Sequence, residues 1–406
     1  MRREFVRSRS FSARFALNRP VSAWALRLIT AAGLLICIGF AGRELVPVLH
    51  QLGGGFLAFN DFFAHWSAAL FVRHADPAAI YDPAALHRFR LETEPALRQS
   101  FPFPYPPPYL FVVWPLGMLR FPAAQLAWDG VGLLLFVVAM AAPRWRAGAI
   151  GVAILAPTTA IALAYGQNGL IEGALLLAGL RLAGPNPALG GVLLGLATIK
   201  PALGLLVPIA LLSARAWRAI ATASVTTLIM GLLAAWAFGP ATWPAWLDYA
   251  AQHAAWLQGE VSDYRKPTVM ATLALLGASP AAAQAVQFGV AIIVAALVAL
   301  CCRRGIGELE AACVLSGTFL ALPFSFGYDL PAVTGAVLLG VQAHRGPWRP
   351  IEIGILSAGL LFPALTTATS RFFFVNPIAL AALFGWFVWQ CLRHPEPKPG
   401  MAQSST

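Results

Sequence analysis

The chain has 406 residues, 59% of them hydrophobic and only 11% charged, and its mean hydropathy of +0.71 lies outside the range of a soluble globular domain. Its formal charge of +11 does not point to nucleic acid, because Lys and Arg sit in short segments between apolar runs, where they set membrane orientation. The five cysteines, Cys37, Cys301, Cys302, Cys313 and Cys391, fall in or beside apolar runs and match no metal-site or disulfide spacing.

The opening "MRREFVRSRSFSARFALNRP" puts six arginines before the first apolar stretch without a convincing cleavage site, so residues 1–23 read as a basic cytoplasmic tail. Apolar runs then predict spans near 24–42, 109–120, 122–141, 148–165, 169–183, 188–212, 216–238, 281–301, 308–324, 330–343, 351–367 and 373–392. The expected fold is an all-α polytopic membrane protein with about 12 transmembrane helices, forming one domain over 24–392, with 393–406 a second cytoplasmic tail.

Two long connections, about 43–108 and 239–280, fall on the external side of this count. Within them "AAIYDPAALHRFRLE" and "WPAWLDYAAQHAAWLQ" read as amphipathic helices on the membrane surface. The prolines of "FPFPYPPPYL" forbid a helix and force an extended lead into the second span. Arg120, "SARAWR" at 213–218, "CCRRG" at 301–305, "HRGPWR" at 344–349 and "CLRHPEPKPG" all fall on the cytoplasmic side, as the positive-inside rule requires. "PRWRAG" at 143–148 does not: Arg144 and Arg146 fall outside, so either the helix count is locally wrong or these arginines have a task such as binding a lipid phosphate.

Ionisable groups in or beside spans are costly enough to be functional candidates. In "FNDFFAHW" Asp61 follows the first span, with His65, Arg73 and His74 after it; it is either a helix N-cap or a general base at the rim of an external cavity. Lys200 in "LATIKPALG" lies mid-run beside the helix-breaking Pro201 and is either half of a structural ion pair or a cation for an anionic ligand, with Glu172 the nearest intramembrane acid. "AYGQNGL" places Gln167 and Asn168 in a turn or a half-helix break, on the cytoplasmic side by parity. "LPFSFGYDLPAV" puts Tyr328 and Asp329 on the same side as Asp61, where Asp329 is equally a good N-cap. Arg265 and Lys266 in "SDYRKPTV" suit lipid headgroups or a substrate. No phosphate loop, metal-spaced His or Cys set, or nucleophile elbow occurs.

The segments "FNDFFAHWSAALFVRHADPAAIYDPAALHRF", "FPYPPPYLFVVWPLGML", "YGQNGLIEGALLLAGLRL", "GVLLGLATIKPALGLLVPIALLSARAWRA" and "PFSFGYDLPA", in this order over about residues 25–345, resemble glycosyltransferase family 87. The resemblance implies the GT-C type of fold and an inverting hexosyltransferase, typically a mannosyltransferase, of the bacterial inner membrane. It would use a polyprenyl-phosphate-linked sugar, transferred at the periplasmic face to a hydroxyl of a lipid or glycan acceptor. Asp61 would be the base, while Gln167, Asn168, Lys200, Tyr328 and Asp329 match the family's other motifs. With His65, Arg73, Arg265 and Lys266 they form the candidate donor and substrate set. No cofactor is expected beyond the lipid-linked co-substrate. No metal is expected either, one carboxylate beside His65 being a poor hard-cation site. A secondary transporter or lipid flippase would share the many spans and broken helices, and an envelope scaffold would need Asp61 only as a cap.

Overall fold

In the computed structural model, residues 20–53, 60–95, 97, 101–259, 263 and 265–393 are described. The outer parts of both expected tails, 1–19 and 394–406, lie outside them. All regular structure among the described residues is helical. Six helices are long and apolar enough to cross a membrane: Ala23–Gln51, Phe121–Ala141, Trp217–Phe238, Pro280–Cys302, Pro350–Ala368 and Val375–Arg393. A seventh candidate is the pair Ala147–Leu155 and Pro157–Tyr165, bent by 46° where Pro157 removes a backbone donor.

The expected count of about twelve full spans is therefore not reached. The other five runs form shorter or interrupted helices: Tyr109–Met118, Gly169–Leu182, Pro187–Ile199 with Pro201–Ser213, Glu308–Ala321 and Pro331–Ala343. At 13 or 14 residues, Gly169–Leu182, Glu308–Ala321 and Pro331–Ala343 fall short of the ~20 needed to span hydrocarbon. All three are buried against one another in the larger core, and Glu308–Ala321 and Pro331–Ala343 also pack on Val375–Arg393.

Connections gather at two ends. At one, Arg144 pairs with Glu308 at 3.7 Å, Gly184 lies against the Ile306 carbonyl, and Gly191 lies against Ala219. Gly169–Leu182 and Pro331–Ala343 run side by side in the same direction, Gly173 beside Ala332 and Gly335 beside Leu177, which brings His344 to Arg349 to this end as well. The turns at 143–148, 213–218, 301–305 and 344–349 thus share one basic face.

This corrects the topology of two basic segments. "PRWRAG" joins the other basic turns that parity had separated it from. Arg120, expected among them, stands at the opposite end, where Phe121 packs edge-on against Phe62 at 5.4 Å and the Trp66 indole donates to the Leu119 carbonyl at 3.1 Å. The physical reason is the segment Tyr109–Met118. Pro115 turns its second half into a 3₁₀ helix, and it folds back on Phe62–His74 instead of crossing.

The opposite end is an aromatic layer. Phe62, Phe63, Phe71, Phe103, Tyr105, Tyr109 and Trp128 form its buried core. The two predicted amphipathic helices are present as Pro83–Thr93, preceded by a short 3₁₀ turn Pro77–Tyr81, and as Thr242–Gly259. They do not lie separately: Tyr249 Oη accepts from the Phe103 N–H at 3.3 Å, and the Trp246 indole donates to the Pro104 carbonyl at 3.2 Å. The second connection is thereby clamped over the extended segment 101–106, which as expected forms no helix.

Candidate active site

Asp61 precedes the helix Phe62–His74, and its position is that of an N-cap. Its side chain makes no capping hydrogen bond. Its Oδ2 instead accepts from Gln167 Nε2 at 3.0 Å, across more than a hundred residues of sequence. Oδ1 accepts no hydrogen bond among the described residues.

Gln167 reaches Asp61 because the helix Pro157–Tyr165 ends on Gly166 in the left-handed conformation, φ +64°. A Cβ at Gly166 would stand 2.4 Å from the Cβ of Phe62, so glycine also sets how closely the turn meets the helix after Asp61. The next helix starts at Gly169, whose backbone lies so near Tyr328 that a Cβ would stand 1.7 Å from that carbonyl oxygen. Two glycines in "YGQNG" thus press the turn between the segments that carry Asp61 and Asp329.

Around Gln167 a polar chain forms. Its Oε1 accepts from the Tyr105 hydroxyl at 3.1 Å and lies 3.3 Å from His65 Nε2, while His65 Nδ1 lies 3.2 Å from the Tyr109 hydroxyl. All contacts are satisfied with the proton assigned to Nε2 and Nδ1 accepting from Tyr109. The His65 ring is fully buried, and burial holds its pKa down at about 3, so it is a neutral relay and not a cation. The Tyr105 and Tyr109 rings stack at 4.0 Å between centroids.

Lys200 closes the other side. The chain breaks at the boundary of two 3₁₀ turns, Ala197–Ile199 and Pro201–Gly204. Nζ donates to Asn168 Oδ1 at 3.2 Å and pairs with Asp329 Oδ1 at 2.5 Å. It also lies 5.8 Å from the Tyr105 ring centre and 5.6 Å from that of Tyr328. Asp329 is held in turn by the Phe326 N–H at 3.0 Å. The lysine expected as a cation or half of an ion pair is thus paired, with Asp329 and not Glu172. Glu172, fully buried one turn after Asn168, has no hydrogen-bond partner among the described residues.

Burial pushes the Asp61 carboxyl above the usual carboxylate range, opposed by the Gln167 amide and the charges of Arg265 and Lys200. Arg265 is held by Asp263 at 2.8 Å. Lys266 is buried near the rings of Phe324 and Phe326, at 5.8 and 5.6 Å.

Of the sequence-predicted residues, Asp61, His65, Gln167, Asn168, Lys200, Tyr328 and Asp329 converge, and Arg265 acts on Asp61 through its charge. Gln167 and Asn168 lie beside Asp61, contrary to the parity that placed them on the opposite side. Arg73 does not join the group: its guanidinium stacks over Trp114 at 5.2 Å on an exposed flank. Tyr105 and Tyr109 were missed; their signal was the pair of tyrosines bracketing the proline run in "PYPPPY".

This arrangement offers a carboxylate with an open oxygen, amide groups suited to hydroxyls, stacked aromatic faces and a lysine for a developing negative charge. The family model for glycosyltransferase family 87 matches residues 103–325, more than half of the chain. The match includes Tyr105, Tyr109, Gln167, Asn168, Lys200, Arg265 and Lys266, with Asp61, His65, Tyr328 and Asp329 flanking it. No curated protein and no solved structure matches the chain.

Proposed function

The chain belongs to glycosyltransferase family 87, and on that premise we propose that it transfers a hexosyl group, mannose as the leading choice, from a polyprenyl-phosphate donor to a hydroxyl of a lipid or glycan acceptor. The membrane is the bacterial inner membrane and the chemistry takes place at its periplasmic face, on a scaffold of the GT-C type. The observation that carries the reading is the Asp61 carboxylate, which is turned away from capping its helix and held through one oxygen by Gln167 at 3.0 Å.

Asp61 Oδ1 takes the proton of the acceptor hydroxyl. The acceptor oxygen attacks the anomeric carbon from the face opposite the phosphate and forms the new C–O bond, while the bond from that carbon to the phosphate oxygen breaks. The single transfer inverts the anomeric centre. The carboxyl's raised pKa suits this role, because a base in a partly apolar setting holds a proton better than one in water. The leaving phosphate carries away the bonding electrons, and Lys200 stabilises its charge by sharing its donors between Asp329 and the phosphate. Gln167 and Asn168 orient sugar hydroxyls, and the Tyr105 and Tyr109 rings wall the sugar in. The scheme uses no metal and no cofactor beyond the lipid-linked donor.

The buried Lys200–Asp329 pair is also what a transporter or flippase would place on its path, and one experiment separates the two readings. Membranes containing wild type, Asp61→Asn or Lys200→Met at equal expression are given radiolabelled polyprenyl-phosphate-mannose, and label is scored in lipid and glycan products. The transferase reading expects product with wild type and at least a thousandfold less with Asp61→Asn, on the order of the rate contributed by a general base and its positioning. Equal product from wild type and Asp61→Asn would remove Asp61 as the base. Movement of labelled donor across the membrane without product, abolished by Lys200→Met and not by Asp61→Asn, would establish the transporter.

A further inference from the structure

At the basic end, opposite the Asp61 site, a cavity of about 860 Å³ opens among the helices Phe121–Ala141, Gly169–Leu182 and Pro187–Leu196 and the turn 304–308. Its lining is mostly apolar, with Leu135, Leu175 and Leu193 on the walls, and its rim carries the exposed Arg144 and Arg304 with the half-buried Arg181 beside them. The size is that of a small-molecule site, and the division into an apolar body and a cationic rim is that of an amphiphile.

The charges at the mouth are not balanced from within. Glu310 is committed to its own helix start, accepting from the Gly307 N–H at 3.0 Å. Glu308 stands 3.7 Å from Arg144. Arg181 donates to the Ala139 carbonyl at 2.7 Å, which pins its guanidinium to the cavity wall. Neither Arg181 nor Arg304 forms an ion pair among the described residues. Two guanidinium groups with donors to spare therefore face one cavity.

The wall also gives a way in. Leu135 and Val138 line the cavity and are 42% and 38% exposed, on the same helix as the more open Leu134. On a membrane helix that exposure faces acyl chains, so a chain can slide in sideways while its headgroup stays at the basic rim. Basic pockets between transmembrane helices on the positive side are suited to anionic headgroups.

We propose that this cavity holds an anionic phospholipid of the leaflet at the basic end, its phosphate on Arg144, Arg181 and Arg304 and one acyl chain between Leu135, Leu175 and Leu193. The site is separate from the Asp61 centre, and the proposal does not rest on the transferase reading. It gives the arginine of "PRWRAG" that reaches the mouth a task as well as a place on the basic face.

The test is native mass spectrometry of the full chain purified in detergent and titrated with phosphatidylglycerol or phosphatidylcholine of the same acyl composition. Wild type should bind phosphatidylglycerol preferentially. Arg144→Ala with Arg304→Ala should weaken that binding roughly 25-fold, at about 5-fold for each arginine near a phosphate. Ala178→Trp, which fills the cavity while leaving all three arginines in the chain, should lower it to the level of phosphatidylcholine, whereas Arg218→Ala, outside the lining, should leave it unchanged. Equal binding of the two lipids, or binding unaffected by both the arginine and the cavity-filling variants, overturns the proposal. So does a titration in which polyprenyl phosphate displaces phosphatidylglycerol at equal concentration, because the occupant would then be the donor's lipid class.

Discussion

At the residue scale the site turns on what Gln167 does to its two neighbours. Its amide donates to the charged form of Asp61 and so holds that carboxyl below where burial alone would put it. Gln167→Leu removes the donor, favours the protonated acid and raises the pKa further. The acid limb of kcat/KM for sugar transfer should therefore move to higher pH, and a limb that stays put or moves down would count against Asp61 as the titrating base. His65 titrates in the other sense. Its native pKa of about 3 lies below the ~6.5 of an unfolded histidine, so the unfolded chain binds more protons between these values. Its contribution to stability is present above pH ~6.5 and is lost as pH falls toward 3, on the order of 2–3 kcal/mol by pH 4.5. His65→Gln keeps hydrogen-bonding capacity without the titration. It should lose less melting temperature than wild type between pH 7 and 4.5 in detergent; parallel losses would mean that His65 is not the group being protonated. Neither effect was legible in the sequence, where His65 stood beside Asp61 as a candidate donor- or substrate-binding residue and nothing marked its burial. What the sequence did hold was the cost of ionisable groups in apolar surroundings, which singled out Asp61, Lys200 and Asp329.

At the element scale the site depends on two breaks being pressed together, the turn 166–168 and the 3₁₀ segment Gly327–Asp329. Gly169→Ala puts a methyl 1.7 Å from the Tyr328 carbonyl, a contact that only backbone movement relieves. Overpacking of this kind costs about 1–3 kcal/mol. A shift of about 1 Å between Asn168 and Asp329 should cost on the order of a hundredfold in transfer rate. Gly204→Ala, in the neighbouring 3₁₀ turn Pro201–Gly204 with nothing within 4 Å of the added methyl, serves as the control and should retain wild-type rate and melting temperature. Equal behaviour of the two variants would show that the close approach at Gly169 does not position the site. Pro157 lay inside a run read as one span, 148–165, whereas the breaks at 166, 201 and 331 could be read from the chain, because Gly and Pro interrupt apolar runs there. Which breaks meet could not, since hydropathy carries no information on partners. Tyr105 and Tyr109 stayed hidden for that reason: in "PYPPPY" they look like the edge of a span, and only the fold shows their hydroxyls at Gln167 and His65.

At the scale of the whole molecule the apolar composition fixed the class of the protein, and counting apolar runs then misplaced part of it. The count treated the run at 109–120 as a crossing, and one false crossing inverts every side assigned until a second error restores it. The packing of Tyr109–Met118 on Phe62–His74 is a tertiary fact, and the sequence signals of the mistake were Pro115 inside a run short of the ~20 residues of a span and the pair of arginines in "PRWRAG" on the forbidden side. The two readings assign opposite sides to two exposed residues. Parity places Arg120 in the cytoplasm and Arg146 outside, whereas the fold puts Arg120 with Asp61 and Arg146 with the other basic turns. Since the five native cysteines are buried, a single introduced cysteine can be read against a low background. With Arg120→Cys and Arg146→Cys in intact cells, a membrane-impermeant maleimide should modify position 120 before lysis and position 146 only after it. The reverse pattern would restore the twelve-span count and turn the Asp61 centre toward the cytoplasm or split it across the membrane. Modification of both positions from outside would break the single basic face on which the orientation rests.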